Sequence, residues 1–463
     1  MKHQEEGVSF LLSRGSGLVA FEQGLGKTLV AIEAFARLKA GGRAEAMLVV
    51  CPNSLKRNWQ SEVERFHPEL NTVIVEGGAR ARRTALATVT VPIVILSYET
   101  ARAEVTPILA MLSRMRTVLV LDESHFVKNR QSFSSIAAQH LGVRARYRWL
   151  LSGTPVTNSP SDLCTQVGIV ANRPSSTLES LLSNLSHGEP LSAALAPYVL
   201  RRTKAECLDL PDKAYVDLHI ELPAWQRSLY EQARDSLVSD TQRVSEREFR
   251  GFASQALTRL VRLAQIATNP RLILSGEHRT PGKFTELDHL VNELVRSGNH
   301  KAILWSHYVG TIETLLDRYK DAGACAIYGD VPAGDRQHIA QAFQNDANVR
   351  LMIANPAAAG TGFTLTAASY AMYESLSWRY DLYAQSQDRN HRIGQTLPVT
   401  YIRLIAVNTI EEVMAASVER KGGLARGLLG DEGDAPKIAE LTRDEFCEML
   451  INNTLPRSFT HSD

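Results

Sequence analysis

The stretch LVAFEQGLGKTLVAIEAFARL, Leu18 to Leu38, reads as a strand, a glycine turn and a helix in direct succession. Leu18 to Phe21 is an apolar run of strand length, and Leu29, Ile32, Phe35, Ala36 and Leu38 recur at helical spacing straight after Thr28. Between them Gly24, Leu25 and Gly26 form a tight turn in which two residues lack a Cβ, so that a phosphate can approach the backbone N–H groups. Lys27 then supplies a point charge, and Thr28 places a hydroxyl at the helix start, where it suits Mg²⁺. A strand followed by a helix in this way is the repeating unit of a parallel sheet.

The same alternation continues outward. Strand-like runs recur at Met47 to Cys51, Thr72 to Glu76, Pro92 to Ser97, Thr117 to Asp122 and Tyr147 to Ser152, with helical patterns between most of them. Runs such as LVVC and VLVL are apolar throughout, which fits strands covered on both faces. From about Glu206 to Gly282 the strand pattern is expected to stop, and WQRSLYEQARDSL and FASQALTRLVRLAQIA read as helices. It resumes at Ala302 to Ser306, Cys325 to Tyr328, Arg350 to Ala354 and Val399 to Ala406. The expected fold class is α/β, two parallel-sheet lobes in tandem. The expected boundaries are 1–205 for the first lobe, 206–282 for a helical linker and protrusion, 283–411 for the second lobe, and 412–463 for a C-terminal helical brace and tail.

Two further runs carry chemistry. LVLDESH, Leu119 to His125, delivers Asp122 and Glu123 at the carboxyl end of a strand, where ligands bind in open α/β sheets. Asp122 suits a metal, often through water, and Glu123 suits the orientation or deprotonation of an attacking water. Paired acids at a strand end are commonly a solvated terminus, but His125 after four buried positions favours function. QSQDRNHRIGQ, Gln385 to Gln395, holds Arg389 and Arg392 at i and i+3, either a solvated helical face or a pair of cations for a γ-phosphate. Gln385, His391 and Gln395 around them make the structural reading the weaker one.

Bulk properties set the limits. The chain has 463 residues, 44% of them hydrophobic and 22% charged, which is ordinary for a globular protein of two or three domains. No apolar run approaches the ~18 residues that would span a bilayer, and the N-terminal MKHQEEGVSFLL lacks a cleavage site, so an intracellular, non-membrane protein is expected. Cys51, Cys164, Cys207, Cys325 and Cys447 show no metal-ligand spacing and read as reduced. Net charge is +1, yet residues 1–210 carry +6 and the remainder −5, which permits a local basic groove.

Taken together, HQEEGVSFL at His3 to Leu11, EQGLGKT, VVCPNSLKRNW at Val49 to Trp59, LSYE at Leu96 to Glu99, LDESH, LSGTPVTNSPSDL at Leu151 to Leu163, LRRTK at Leu200 to Lys204 and DRNHRIGQ resemble a SWI/SNF-type ATPase, a branch of the superfamily 2 helicase-like motors. DESH and SLKRNW are most similar to the compact annealing-helicase-like subgroup. The resemblance covers nearly the whole chain and implies two RecA-like lobes, ATP and Mg²⁺ as cofactors, and double-stranded DNA as partner. It implies that Gln4 contacts adenine, that Gly24, Leu25, Gly26, Lys27 and Thr28 hold phosphate and metal, and that Asp122 and Glu123 handle metal and water. It further implies that Arg389 and Arg392 act as fingers, and that His125, Ser152, Thr154 and Gln385 couple nucleotide to lobe movement. DNA-facing loops are implied at Pro52 and Ser54, Ser97 and Tyr98, Ser306 and His307, and Gly360 and Gly362.

Departures from the family pattern are Phe21 where Asp is usual, Gln23 where Met is usual, and Thr364 where Asn is usual. The function expected is an ATP-dependent translocase stepping along the DNA backbone. A strand-separating helicase, a nucleotide-gated DNA clamp that recruits partners, and an RNA-directed motor are the alternatives. With only three residues before Gln4, a stripped-down monomeric motor is expected, working alone or delivered by a recruiting protein.

Overall fold

The computed structural model describes residues 1–153, 160–173, 195–274, 276–359, 363–427 and 441–455. They form two compact units, Met1–Asp209 and Leu210–Gly423, the second joined by residues 441–455. The first contains strands β1 (Gly17–Phe21), β2 (Ala46–Cys51), β3 (Thr72–Ile74), β4 (Ile93–Ser97), β5 (Thr117–Asp122), β6 (Tyr147–Leu151) and β7 (Val199–Arg202). They assemble in the order β3-β4-β2-β5-β6-β1-β7, with every pair parallel.

The continuous apolar runs follow from burial on both faces. Leu48, Val50, Val94, Leu96, Leu119 and Leu121 point into one core, while Met47, Val49, Ile93, Ile95, Val118 and Val120 point into the other. Alternation along each strand therefore divides the side chains between two helical layers and leaves no polar face. Each such side chain contributes about 1.5–3 kcal/mol by leaving water.

The second unit repeats the plan with β8 (Lys213–Ile220), β9 (Lys301–Trp305), β10 (Ala324–Ile327), β11 (Leu351–Ala354), β12 (Ala368–Tyr373) and β13 (Val399–Ala406). Their order is β10-β11-β9-β12-β13-β8, again all parallel. The chain is thus an α/β protein with two parallel sheets.

The stretch after Glu206 is not free of strands, contrary to the sequence expectation. β8 pairs with β13 along its whole length from Lys213 to Ile220. It is an edge strand with Tyr215 and Val216 exposed, so Lys213, Asp217 and His219 interrupt the apolar pattern without cost. Asp217 pairs with Arg403 of β13 at 2.5 Å. The helices that follow, Ala224–Arg243 and Glu246–Thr268, also join this unit. Their Tyr230, Leu237, Phe249, Leu260 and Leu263 share one core with Ile303, Trp305 and Tyr373 of the sheet. Ser245 and Glu248 close a reciprocal capping box at the start of the second helix. The helix Arg443–Asn452 braces the pair through Phe446, whose ring lies 5.5 Å from that of Phe249. Among the described residues no helix is long and apolar enough to cross a membrane.

Phe446 is fully buried, so Phe446→Ala is expected to cost about 3–5 kcal/mol. Guanidinium denaturation of the full chain, compared with wild type, measures it.

Candidate active site

Sheet order assembles the site. β6 lies between β5 and β1, so three adjacent strands deliver their carboxyl ends side by side: the glycine turn after β1, Ser152 and Gly153 after β6, and Asp122 and Glu123 at β5. Gly24 and Gly26 have φ of +87° and +81°, the left-handed region that favours glycine, and the helix Lys27–Ala40 starts immediately afterwards. A Cβ on Gly26 would stand 2.4 Å from Nε2 of Gln4. The Gln4 amide donates to the Leu25 carbonyl at 3.3 Å, and the His3 ring lies 3.1 Å from the same oxygen. The N-terminal helix Lys2–Arg14 therefore presses Gln4 directly against the turn.

Lys27 is buried, and its Nζ donates to the Phe21 carbonyl at 2.9 Å. A Cβ on Gly153 would stand 3.5 Å from that Nζ and 2.9 Å from Cγ of Gln23, so the end of β6 closes over the turn. Phe21 itself fills the core beside His3, their rings 5.9 Å apart. The Phe21 side chain thus packs beneath the turn while its main-chain carbonyl meets Lys27. Thr28, the second residue of the helix, is half-buried, and Ser152 is fully buried with its N–H donating to Val19 at 3.2 Å.

Asp122 is 5% exposed. Its Oδ2 accepts from the Trp59 indole N–H at 2.7 Å and its Oδ1 from the Glu123 N–H at 2.9 Å. Burial and then the neighbouring Glu123 charge push the carboxyl up to about 6, against the opposing pull of Trp59 and Lys27. Two adjacent acids in this state are short of positive charge, and a hydroxyl with a carboxylate is an oxygen donor set of the kind Mg²⁺ takes. Glu123 has φ +49° and ψ +55°, and its Oε2 lies 3.4 Å from Nδ1 of His125.

Three residues expected to face DNA turn inward instead, Tyr98 and Ser97 in the first unit and Ser306 in the second. Tyr98 is buried, stacks on Phe126 and donates its hydroxyl to the Asp122 carbonyl at 2.8 Å, so it holds the end of β5 in place. Ser97 is buried and caps the helix Tyr98–Ala103 through the Thr100 N–H. Pro52 is half-buried and Ser54 exposed on the turn after β2. Trp59 is the functional neighbour that sequence reasoning passed over. The signal was present in Lys56, Trp59 and Val63, a buried stripe at helical spacing, but a stripe does not reveal a donated hydrogen bond.

In the second unit, Arg389 and Arg392 lie on turns beyond the helix Tyr380–Gln387 rather than on a helical face. Their guanidinium groups still converge, since both donate to the Phe363 carbonyl, at 3.5 Å and 3.4 Å. Arg389 is also tied to the Gln385 carbonyl at 3.1 Å. Gln395 donates to the carbonyls of Thr366, Ala368 and Asn390, and the His391 ring lies 2.8 Å from the Pro211 carbonyl. The polar residues of the run thus hold its arginines together. Ser306 is fully buried and donates to Glu374 at 2.9 Å, within a group that includes the buried Lys283–Glu411 pair at 2.7 Å. His307 is half-buried at the end of β9, its N–H donating to Ser375 at 2.9 Å. Thr154, Gly360 and Gly362 lie outside the described residues.

Trp59→Phe removes a hydrogen bond to a charged group, so it is expected to cost about 1.5–3 kcal/mol in denaturation and to raise the Asp122 pKa further. Burial, with Arg379 nearby, pushes the His307 pKa down to about 4. The unfolded chain, with its ordinary value of about 6.5, binds that proton first, so stability falls as pH drops from about 6.5 to 4, by on the order of 1–3 kcal/mol. The difference between wild type and His307→Gln in urea melts across that window isolates this term; parallel curves would refute it.

Comparison with known proteins places this geometry. The SNF2-related domain family matches residues 3–272, more than half the chain, and the helicase conserved C-terminal domain family matches residues 282–394. An uncharacterized ATP-dependent helicase of Mycoplasma pneumoniae is 28% identical over 99% of this chain and 44% of its own length. The ATP-dependent DNA helicase DDM1 of Arabidopsis thaliana is 27% identical over 88% of this chain and 59% of its own. The DNA annealing helicase and endonuclease ZRANB3 of Bos taurus is 26% identical over 99% and 44%. The chain spans about half the length of the curated relatives it matches. The Sulfolobus solfataricus SWI2/SNF2 ATPase core in complex with dsDNA is 25% identical, covering 97% of this chain and 96% of that chain with a TM-score of 0.43. With a glycine turn, a DESH strand end and a DRNHR turn arranged on two parallel sheets, the chain belongs to the SNF2-related family of helicase-like proteins.

Proposed function

We propose that this chain hydrolyses ATP to move stepwise along double-stranded DNA, as an SNF2-type translocase. The observation that carries the reading is the convergence of the Gly24–Lys27 turn, the Ser152–Gly153 strand end and the Asp122–Glu123 pair on one edge of the first sheet. Gln4 selects the base. The backbone of Gly24 to Gly26 and the Lys27 ammonium position phosphates, while Glu123 orients the attacking water and takes its proton. Thr28 and Asp122 would hold Mg²⁺, which when bound neutralises phosphate charge. Arg389 and Arg392 supply the remaining positive charge to the γ-phosphate, so hydrolysis waits on closure of the second lobe. His125, Ser152 and Gln385, with Thr154, relay that closure.

Travel follows if each lobe grips the phosphate backbone and the two grips shift once per ATP. Pro52 and Ser54 after β2, and His307 after β9, are the proposed contacts, and they carry no sequence information. One chain supplies both sets of groups, so a monomer suffices.

ATP hydrolysis is expected to rise several-fold or more with duplex DNA at low salt and to fall as salt increases. Lys27→Ala is expected to abolish it, and Arg392→Ala to lower it by roughly 10³ to 10⁵ with nucleotide binding retained. Equal rates with and without duplex DNA count against the reading; stimulation by duplex RNA alone reassigns the substrate, and a triplex-displacement assay reads travel itself.

A further inference from the structure

The helix Phe133–Arg144 of the first unit is apolar on two faces, and only one of them is buried. Ser135, Ala137, Ala138, Leu141 and Gly142 pack inward. Phe133, Ile136, His140 and Val143 stand at i, i+3, i+7 and i+10, which places them on one stripe. Phe133 is 72% exposed and Val143 62%, the two largest exposures among the large hydrophobic side chains described. An isolated exposed apolar residue needs no explanation, but three on one stripe, with only His140 between them, do.

Along the chain on either side of the stripe the charges have one sign. From Ser124 to Ser161 the sequence has no Asp or Glu, while it holds Lys128, Arg130, Arg144 and Arg146. Arg173, at the end of the neighbouring helix, joins them across a cavity of about 270 Å³ lined by Arg130, Gln139, His140, Val143 and Ile169. Arg130, Arg144, Arg146 and Arg173 are exposed, and among the described residues none has an ion-pair partner. Among the described residues some exposed arginines of this unit are matched, as Arg37 is by Glu5 and Glu33 and Arg57 by Glu76, and others such as Arg80 and Arg102 are not; what distinguishes this face is that its four lie beside an exposed apolar stripe.

We propose that this face docks an amphipathic helix of a partner protein that carries acidic residues beside its apolar stripe. The apolar residues supply anchors at helical spacing, and the unmatched arginines select the acidic flanks and fix its direction. Nucleic acid would use the arginines but not Phe133, Ile136 or Val143, which is why a protein segment is the better match. The inference does not depend on the proposed ATPase reaction, because none of these residues belongs to the nucleotide site.

The probe is a fluorescein-labelled peptide with leucines at i, i+3, i+4 and i+7 and glutamates on both flanks, titrated with the full chain and read by anisotropy. A scrambled peptide of the same composition is the control. Saturable micromolar binding is expected, weakened at least tenfold in Ile136→Glu/Val143→Glu and in Arg144→Glu/Arg173→Glu, the second pair also losing salt dependence. Thermal melting and basal ATPase rate should be unchanged in both variants, because the substituted side chains are exposed and none belongs to the proposed nucleotide site. Equal binding of the scrambled peptide, or unaltered binding in the variants, overturns the proposal. Displacement of the peptide by duplex DNA that is lost in the same variants reassigns the face to nucleic acid, and a concentration-dependent dimer abolished by Ile136→Glu/Val143→Glu reassigns it to a second copy; both overturn it.

Discussion

A sheet whose strands all run one way, and whose faces are both covered, has a single place left for polar chemistry: the edge where the strands end. Every connection must cross over a helical layer and return, so each loop following a strand emerges on the same side. In the first unit this brings the glycine turn, Gly153 and Asp122 together although more than a hundred residues of sequence lie between the first and the second. The same constraint places Ser306, Glu374 and Asn355 at neighbouring strand ends in the second unit, where Asn355 donates to the His307 carbonyl at 3.1 Å. The site is a consequence of strand direction before it is a consequence of any particular side chain.

Strands buried on both faces were legible in the sequence for the same reason. β1, β2, β4, β5 and β6 stand where strand-like runs predicted them, within a residue at either end. β12 was missed although it is central, because Ala368, Ser369 and Ala371 carry neither the bulk nor the branching that marks a strand; its burial is set by β9 and β13 on either side. β8 was missed for the opposite reason, since an edge strand tolerates Lys213 and Asp217. Pattern reading thus sees strands that make their own core and overlooks strands that neighbours define.

The site was legible as a set of residue types and less so as a set of roles. Arg389 and Arg392 were legible as a pair, but helical spacing was the wrong cause: their shared direction comes from the Phe363 carbonyl and from the anchoring of Gln395 and His391. Tyr98 could not be told from an exposed aromatic by its sequence, and only the fold shows its hydroxyl bracing the main chain at Asp122. Trp59 does the same for the carboxylate of that residue. Two aromatic side chains, one reaching the backbone and one the side chain, thus immobilise a buried acid that has little solvent to hold it.

Glu123 occupies a backbone conformation that elsewhere among the described residues is left to glycine and asparagine: Asn172, Asn299, Asn408 and Asn453. An acidic side chain there costs on the order of 1 kcal/mol or more of conformational energy, sustained by the surrounding sheet. Selection for thermal robustness alone would therefore drift toward asparagine or glycine at this position and discard the carboxylate. Under the proposed role of Glu123 in orienting water, stability and chemistry demand different residues at this position, and the glutamate sides with chemistry.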